Sequence, residues 1–371
     1  MMASEIILMQ HSSDDRSMWR YREMLPQMGD NPVSLGEGLT PLVESRLLSG
    51  IRLLWKDETR NPTGSHKDRA LSLAATHARA LSARTMVVVS AGSTGLSNAA
   101  YAARAGLMSV AVMSAGTPRE RVYPLHALGS RLVSVDAGID ELIATVTRLA
   151  GQDGIYVAST TQSANAIQAE AGRTIAFELV DDLGDAPDVL VVPVGGGGTI
   201  AAIHRGFVQL LGAGRIRRLP RLVAVVPSRF DLIKRAFEAG ITDPERFFSM
   251  GPPDGGPTVL NKIAHNHAPD GIEALRALRE SNGLVCCFDD GDAIAAVRDI
   301  GASDGLYLEP SSAIVLPALR QLQRDGTIAV GQTVVALGCG SGFRETSVML
   351  DTAPLAVETT TLANLAQSLA R

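Results

Sequence analysis

Residues 189–203 read VLVVPVGGGGTIAAI, which is a short β-branched run, four glycines with a threonine, and an apolar helical pattern. A buried strand that enters a helix through a glycine turn is typical of α/β proteins, whose parallel strands are covered by helices. The N–H groups of such a turn point at an anion with no Cβ in the way. We therefore predict a phosphate site, the alternative being a tight turn without a ligand. Its residues are Gly195, Gly196, Gly197, Gly198 and Thr199.

The alternation of strand-like and helical segments extends along the chain. The remaining strand-like runs are 86–90, 109–113, 131–135, 222–226, 284–288 and 333–337, with helical stretches between them such as 69–81, 97–105 and 292–300. These strands suffice for two sheets, so we predict an α/β fold with two open, twisted, mostly parallel sheets. The strand at 86–90 runs into AGSTGLSNAA. Because ligands bind beyond the carboxyl ends of parallel strands, this loop and the glycine turn are expected to face a shared cleft between domains.

Composition excludes several classes of protein. The 371 residues carry 34 basic and 39 acidic side chains without a block of like charges, which argues against a nucleic-acid partner. No apolar run is long enough to cross a bilayer, and the N-terminal residues MMASEIILMQHSSDD do not resemble a secretory signal. Three cysteines have neither disulfide-framework nor metal-ligand spacing. We predict a cytoplasmic protein without a metal or membrane partner.

The segment NPTGSHKDR at residues 61–69 is the second chemical signal. Ser65 is predicted to cap a helix that places Lys67 in its first turn, where the helix dipole disfavours the charged amine. A lysine that forms a Schiff base needs this bias, whereas an arbitrary lysine is a solvated surface residue. Asp68 and Arg69 are predicted to form a local ion pair.

Five segments in this order resemble the fold-type II (tryptophan synthase β-like) pyridoxal-phosphate enzymes, and among them the threonine synthases. They are SLGEGLTPL at 34–42, NPTGSHKDR at 61–69, AAYAARAG at 99–106, VPVGGGGTIAAI at 192–203 and LEPSSA at 308–313. The resemblance implies a large cofactor-binding domain of residues 1–80 and 159–371, a small substrate-side domain of residues 81–158, and an active site between them. It also implies a homodimer.

The resemblance assigns roles to individual residues. Lys67 would carry pyridoxal 5′-phosphate as a Schiff base and transfer protons, with the cofactor phosphate in the glycine turn. Cys339 would lie beside the pyridine nitrogen, where a thiol makes the ring a milder electron sink, although a buried small residue after a strand is the alternative. His66 would lie near the phosphate or merely fill space. The predicted contacts of the substrate are Ser90, Gly92, Thr94, Asn165 and Gln168.

Two positions depart from the family pattern. Ser93 replaces the asparagine that contacts the phenolic oxygen of the cofactor. Gln168 replaces the arginine that binds the substrate's phosphate, and glutamine cannot supply a charged bidentate fork. The candidates that would replace that arginine are Arg119, Arg121 and Arg173.

These residues predict a pyridoxal-phosphate-dependent carbon–oxygen lyase that acts on a small amino acid by elimination and replacement at Cβ or Cγ. Conversion of O-phosphohomoserine to threonine is the activity that the resemblance favours. The alternatives are β-replacement on a serine derivative, a serine/threonine dehydratase-type ammonia-lyase, and a non-catalytic paralogue that binds the cofactor or an amino acid.

Overall fold

The computed structural model describes residues 14–29, 31–352, 357–365 and 369, and within them the chain forms two open sheets. The strands are β1 Leu42–Glu44, β2 Arg52–Asp57, β3 Thr85–Val89, β4 Met108–Ser114, β5 Arg131–Val135, β6 Ile155–Val157, β7 Val189–Pro193, β8 Arg221–Pro227, β9 Leu284–Phe288 and β10 Thr333–Gly338. One sheet has the order β1-β2-β10-β7-β8-β9 and the other β5-β4-β3-β6. Every pair of neighbours is parallel except β1 with β2.

Helices connect the parallel strands. They are α1 Lys67–Ala80, α2 Ser93–Ala105, α3 Arg119–Ala127, α4 Ile139–Thr147, α5 Ala166–Ala169, α6 Arg173–Leu183, α7 Gly198–Gly212, α8 Leu232–Glu238, α9 Pro244–Phe248, α10 Gly271–Glu280, α11 Asp290–Asp304, α12 Pro310–Ala313, α13 Val315–Arg324 and α14 Thr346–Thr352. Short 3₁₀ helices span Met18–Met24, Glu58–Arg60, Glu170–Gly172, Ser228–Phe230, Gly342–Arg344 and Leu362–Asn364.

The predicted fold class is confirmed. Each of the seven predicted strands is present, with both ends within one residue of the prediction. Along β7, Leu190 and Val192 pack into one hydrophobic cluster, while Val189 and Val191 pack into another. The larger sheet is therefore covered on both faces, which is why its strands are continuous apolar runs instead of alternating patterns.

Strands β1 and β2 were not predicted from the sequence. β2 ends in Lys56 and Asp57, both of which are buried although charged residues are rarely found inside a protein. They are tolerated because they have partners: Lys56 Nζ lies 2.8 Å from Glu178 Oε2 on α6 and donates to the Thr40 carbonyl. These partners are distant in sequence, so no local pattern marks the strand.

A buried ion network fixes the start of α1. Arg69 donates from Nε to Glu58 at 2.7 Å and from Nη2 to Glu178 at 2.8 Å. Burial alone would raise the pKa of Glu178, but Arg69 and Lys56 hold it at about 2. The predicted local pair of Asp68 with Arg69 is wrong, because Asp68 instead accepts hydrogen bonds from Thr63, Ser97 and the Thr63 backbone. Since Arg69 is two residues beyond Lys67, the network also fixes the position of that lysine.

Replacing Arg69 with methionine should lower the free energy of unfolding at neutral pH by about 3–5 kcal/mol, because it leaves two carboxylates buried without their main partner. Urea unfolding measures the difference. Arg60→Met is the matched control, since that side chain is 71% exposed and its contact with Asp57 is 3.5 Å long. A loss for Arg69→Met no larger than for Arg60→Met would show that the network contributes little.

Three of the predictions from composition concern membrane spans, metal sites and a secretory signal. Within the described residues, none of the helices has the length and apolar character that a membrane span requires. The same part of the chain holds no group of three or more His, Cys, Asp or Glu side chains placed to bind a metal. The prediction about a secretory signal concerns residues 1–15, of which 1–13 lie outside the described residues.

Candidate active site

Lys67 is the first residue of α1, and the turn before it is attached to the segment after β10. The His66 backbone N–H donates to the Cys339 carbonyl at 3.0 Å, and the Ser341 N–H donates to the Gly64 carbonyl at 3.0 Å. Gly64 has a φ of +83°, which favours glycine. The predicted cap is wrong: His66 occupies the N-cap position without a side-chain hydrogen bond, and Ser65 Oγ is buried without a partner among the described residues.

The surroundings of Lys67 favour the neutral amine. Burial lowers the pKa of the Lys67 ammonium from its ordinary value, while the nearby Cys339, Asp270 and Glu309 oppose that shift. Its position at the start of α1 adds the positive end of a helix dipole. A neutral amine is nucleophilic, so this lysine can attack an aldehyde.

The glycine turn lies at the carboxyl end of β7 and leads into α7. Gly197 has a φ of +97°, and a Cβ there would lie 2.6 Å from the Asp270 carbonyl. A Cβ at Gly195 would lie 2.6 Å from His265 Cδ2, and one at Gly198 would lie 2.5 Å from Asp270 Oδ2. The turn is therefore a close-packed cradle whose backbone alone is available to a ligand. It combines the free N–H groups of a helix N-terminus with the Thr199 hydroxyl.

His66 joins this cradle to the lysine turn. Burial and the charge of Lys67 lower the pKa of His66 to about 3, so the ring is neutral. Its Nδ1 lies 3.2 Å from the Cys339 carbonyl, which only accepts, and its Nε2 lies 3.3 Å from Thr199 Oγ1. The ring therefore donates from Nδ1 and accepts at Nε2 from the threonine hydroxyl. Of the two predicted roles of His66, a position next to the glycine turn agrees with these contacts.

Cys339 follows the last residue of β10 and is 7% exposed. Burial raises the pKa of its thiol well above the ordinary value, so the sulfur is a neutral weak donor. Its carbonyl holds the lysine turn, as described above. Cys339, Lys67 and the glycine turn therefore line the same cleft.

The loop after β3 supplies the other wall. Ser93 opens α2 and accepts a hydrogen bond from Arg344 Nη1 at 2.9 Å, while Ser90 Oγ accepts from the Gly92 N–H at 3.1 Å. Thr94 is half-buried in the first turn of α2. The predicted contacts Ser90, Gly92 and Thr94 therefore share one loop, which Arg344 attaches to the segment after Cys339.

A cationic cluster borders this loop, formed by Arg121, Lys262 and Arg344. Lys262 Nζ would lie 3.3 Å from a Cβ at Gly92, and Lys262 forms an ion pair with Glu345. Arg121 Nη2, on α3, lies 3.0 Å from the same carboxylate. Only Arg121 is among the residues singled out from the sequence. Lys262 lies in an irregular segment, where no pattern marks it.

The other predicted substitutes for the missing arginine lie elsewhere. Arg173 pairs with Glu170 at 2.7 Å and donates to Gln209, and Arg119 is exposed at the start of α3. Gln168 is 0% exposed and accepts from Asn165 Nδ2 at 3.3 Å. Its Nε2 has no partner within the described residues, so both N–H groups of that amide remain for a ligand. Substrate contacts of Asn165 and Gln168 stay predictions.

Glu309 belongs to this region as well, although the sequence marked it only as part of a family segment. It is 4% exposed, and burial raises the pKa of its carboxyl. A Cβ at Gly340 would lie 2.5 Å from its Oε1, while its Oε2 lacks a partner in the part of the chain that the structure describes. A buried carboxyl of this kind is stable when it is neutral.

Comparison with known proteins agrees with this geometry. The family model of pyridoxal-phosphate-dependent enzymes matches residues 33–340. The chain is 32% identical to the threonine synthases of Methanosarcina acetivorans, over 90% of this chain and 82% of the relative, and Mycobacterium bovis, over 90% of both. Among solved structures, O-ureido-L-serine synthase superposes with a TM-score of 0.71 at 23% identity, covering 91% of this chain and 99% of the other. Maize serine racemase gives 0.68 at 19%, covering 89% and 91%.

Proposed function

We propose that this chain, which belongs to the pyridoxal-phosphate-dependent enzyme family, converts O-phosphohomoserine to threonine. The protein is a pyridoxal-phosphate-dependent lyase of the kind that performs elimination and replacement at Cβ or Cγ. The cationic cluster of Arg121, Lys262 and Arg344 beside the loop after β3 supports O-phosphohomoserine as the substrate.

The residues present fit the cofactor. A Cβ at Gly195, Gly197 or Gly198 would clash, so the turn presents its N–H groups to a phosphate. Ser65 Oγ and Glu309 Oε2 are buried polar atoms without a partner within the described residues. When bound, pyridoxal phosphate supplies an electron sink for the carbanion formed at Cα. In our proposal Lys67 binds the cofactor aldehyde and moves the proton at Cα.

His66 accepts from the Thr199 hydroxyl and so holds that side chain beside the glycine turn, whose N–H groups would bind the phosphate. The neutral Cys339 thiol can donate only weakly to a ring nitrogen, which suits elimination over transamination. The loop from Ser90 to Thr94 offers hydroxyls and helix N–H groups to an α-carboxylate.

The charge of the cluster favours a substrate with a second anionic group. Three cations, Arg121, Lys262 and Arg344, face the carboxylate of Glu345 and the carboxyl of Glu309, whose pKa burial raises. Lys262 and Arg121 counter the burial of Glu345 and lower its pKa. The remaining positive charge matches a phosphate, and arginine binds phosphate through charge-assisted hydrogen bonds. The cluster can therefore do the work of the arginine that Gln168 replaces.

Arg121→Gln should reduce kcat/KM for O-phosphohomoserine by about tenfold to a hundredfold, since a charge-assisted hydrogen bond contributes roughly 1.5–3 kcal/mol. The values for serine and threonine should change little, because neither has a phosphate. Steady-state rates of both proteins with O-phosphohomoserine, O-phosphoserine, serine and threonine measure this selectivity. Arg119→Gln, an exposed arginine on the same helix, is the matched control.

Three outcomes of this panel would contradict the proposal. Wild-type protein that prefers serine or threonine and releases a keto acid would be a dehydratase, and one that prefers O-phosphoserine would perform β-replacement. A loss shared equally by the phosphorylated and unphosphorylated substrates would show that Arg121 supports the fold of the cleft and does not recognise phosphate.

A further inference from the structure

Asp270 stands at the N-cap of α10 but does not cap that helix. An aspartate at this position usually accepts hydrogen bonds from the first N–H groups of its own helix. Here no side-chain cap bond forms, and Oδ1 accepts from the Gln162 backbone N–H at 2.9 Å instead. The side chain is 5% exposed. Its carboxyl is therefore held in place by a different part of the chain.

The carboxyl of Asp270 is directed at the cradle. A Cβ at Gly198 would lie 2.5 Å from Oδ2, and the Asp270 N–H donates to the Gly196 carbonyl at 2.9 Å. Gly198 is the first residue of α7. The carboxyl thus lies at the helix N-terminus that the cofactor phosphate requires, and two anions at one such site repel each other.

The surrounding charges do not neutralise Asp270 fully. Burial raises the pKa of its carboxyl, Lys67 and Arg205 lower it, and Glu273 on its own helix raises it further. Arg205 is already paired with Glu170 at 2.9 Å, and Lys67 favours the neutral amine. His265 and Pro269 form the remaining wall next to Gly195 and Gly196.

We propose that Asp270 is a phosphate-recognition residue, and that the cofactor phosphate binds together with a proton at this carboxyl. The protonated group donates a hydrogen bond to a phosphate oxygen, whereas the ionised group repels it. The proton comes from solvent, so no other reactant is needed. This inference concerns cofactor binding and holds for any reaction that the enzyme catalyses.

The proposed coupling between cofactor binding and protonation of Asp270 makes the affinity for the cofactor fall as the pH rises. At low pH Asp270 is protonated before the cofactor arrives, and binding carries no penalty. As the pH rises through the pKa of the free protein, each binding event must take up a proton, and affinity falls. Asparagine at this position mimics the protonated carboxyl, because its amide also donates while its oxygen still accepts from Gln162.

The test uses protein stripped of cofactor and titrated with pyridoxal phosphate and with phosphate-free pyridoxal, followed by quenching of tryptophan fluorescence. The advantage of Asp270→Asn over wild type in affinity for pyridoxal phosphate should grow with pH, by up to about tenfold for each pH unit above the pKa of the free carboxyl, and should shrink as the pH falls. Asp270 also influences the pKa of Lys67, but that effect acts on pyridoxal and on pyridoxal phosphate alike. The ratio of the two proteins' affinities should therefore change with pH much less for pyridoxal than for pyridoxal phosphate.

Two further variants keep the result unambiguous. Glu273→Gln removes a charge three residues away on the same helix and should have a much smaller effect. Asp270→Ser should also bind pyridoxal phosphate more tightly than wild type at high pH, even if the asparagine variant folds poorly. The proposal is overturned if an Asp270 variant that folds like wild type binds pyridoxal phosphate no more tightly than wild type at high pH, or if pyridoxal shows the same pH-dependent ratio.

Discussion

Replacing Lys67 with alanine is expected to abolish turnover and covalent attachment of the cofactor while the fold stays intact. The amine is the reacting group, whereas the side chain belongs to none of the hydrophobic clusters among the described residues. Loss of a nucleophile that also transfers protons should lower kcat by at least about 10³-fold. Borohydride reduction followed by intact-mass measurement should add the mass of the reduced cofactor to wild type and not to Lys67→Ala.

The chain makes this test unusually clear because it has only four lysines, at 56, 67, 234 and 262. Lys56 is buried in the ion network, and Lys234 pairs with Glu238 on the surface of α8. Lys234→Ala is therefore the control and should keep both activity and labelling. Lys262 borders the same cleft, so label that persists in Lys67→Ala and disappears in Lys262→Ala would identify Lys262 as the cofactor lysine.

Local patterns were sufficient for the fold class. Strands β3 to β5 and β7 to β10 are β-branched runs between glycine or polar residues, and burial on both faces keeps those of the larger sheet continuous. The glycine turn was equally visible, because close packing against Asp270 and a positive φ at Gly197 leave only glycine. In these places the local pattern of residue types was enough for the prediction, even where the contacts that require glycine come from a distant segment.

Contacts between distant segments were not visible in the sequence. Glu309 is held against Gly340, Lys262 pairs with Glu345, and Asp270 turns away from its own helix to accept from Gln162. Each depends on loops brought together by the two sheets. The N-capping preference of serine gave a wrong prediction at the start of α1, because Ser65 Oγ is buried and does not cap the helix. Tertiary hydrogen bonds to Cys339 and Ser341 hold that turn in place of a capping side chain.

Gly196→Asp is expected to prevent cofactor binding almost completely. Among the glycines of the cradle this position best accepts a side chain, since the nearest atom to an added Cβ is Pro269 Cδ at 3.3 Å and the residue has no positive φ. The new carboxylate would lie at the N-terminus of α7, next to Asp270, and would repel the cofactor phosphate. We expect affinity for pyridoxal phosphate to fall by at least about a hundredfold, as two charges several ångströms apart in partly desolvated surroundings interact by a few kcal/mol.

Gly196→Asn and Gly196→Ala separate this charge effect from volume. Asparagine has the shape of aspartate without its charge, so most of the loss should be absent from Gly196→Asn, and alanine should change affinity least. Gly197→Asp would be a poorer test, because its φ of +97° and a Cβ only 2.6 Å from the Asp270 carbonyl would strain the turn itself. Equal affinities of Gly196→Asp and Gly196→Asn for pyridoxal phosphate, measured by the same fluorescence titration, would mean that the phosphate is held elsewhere in the cleft.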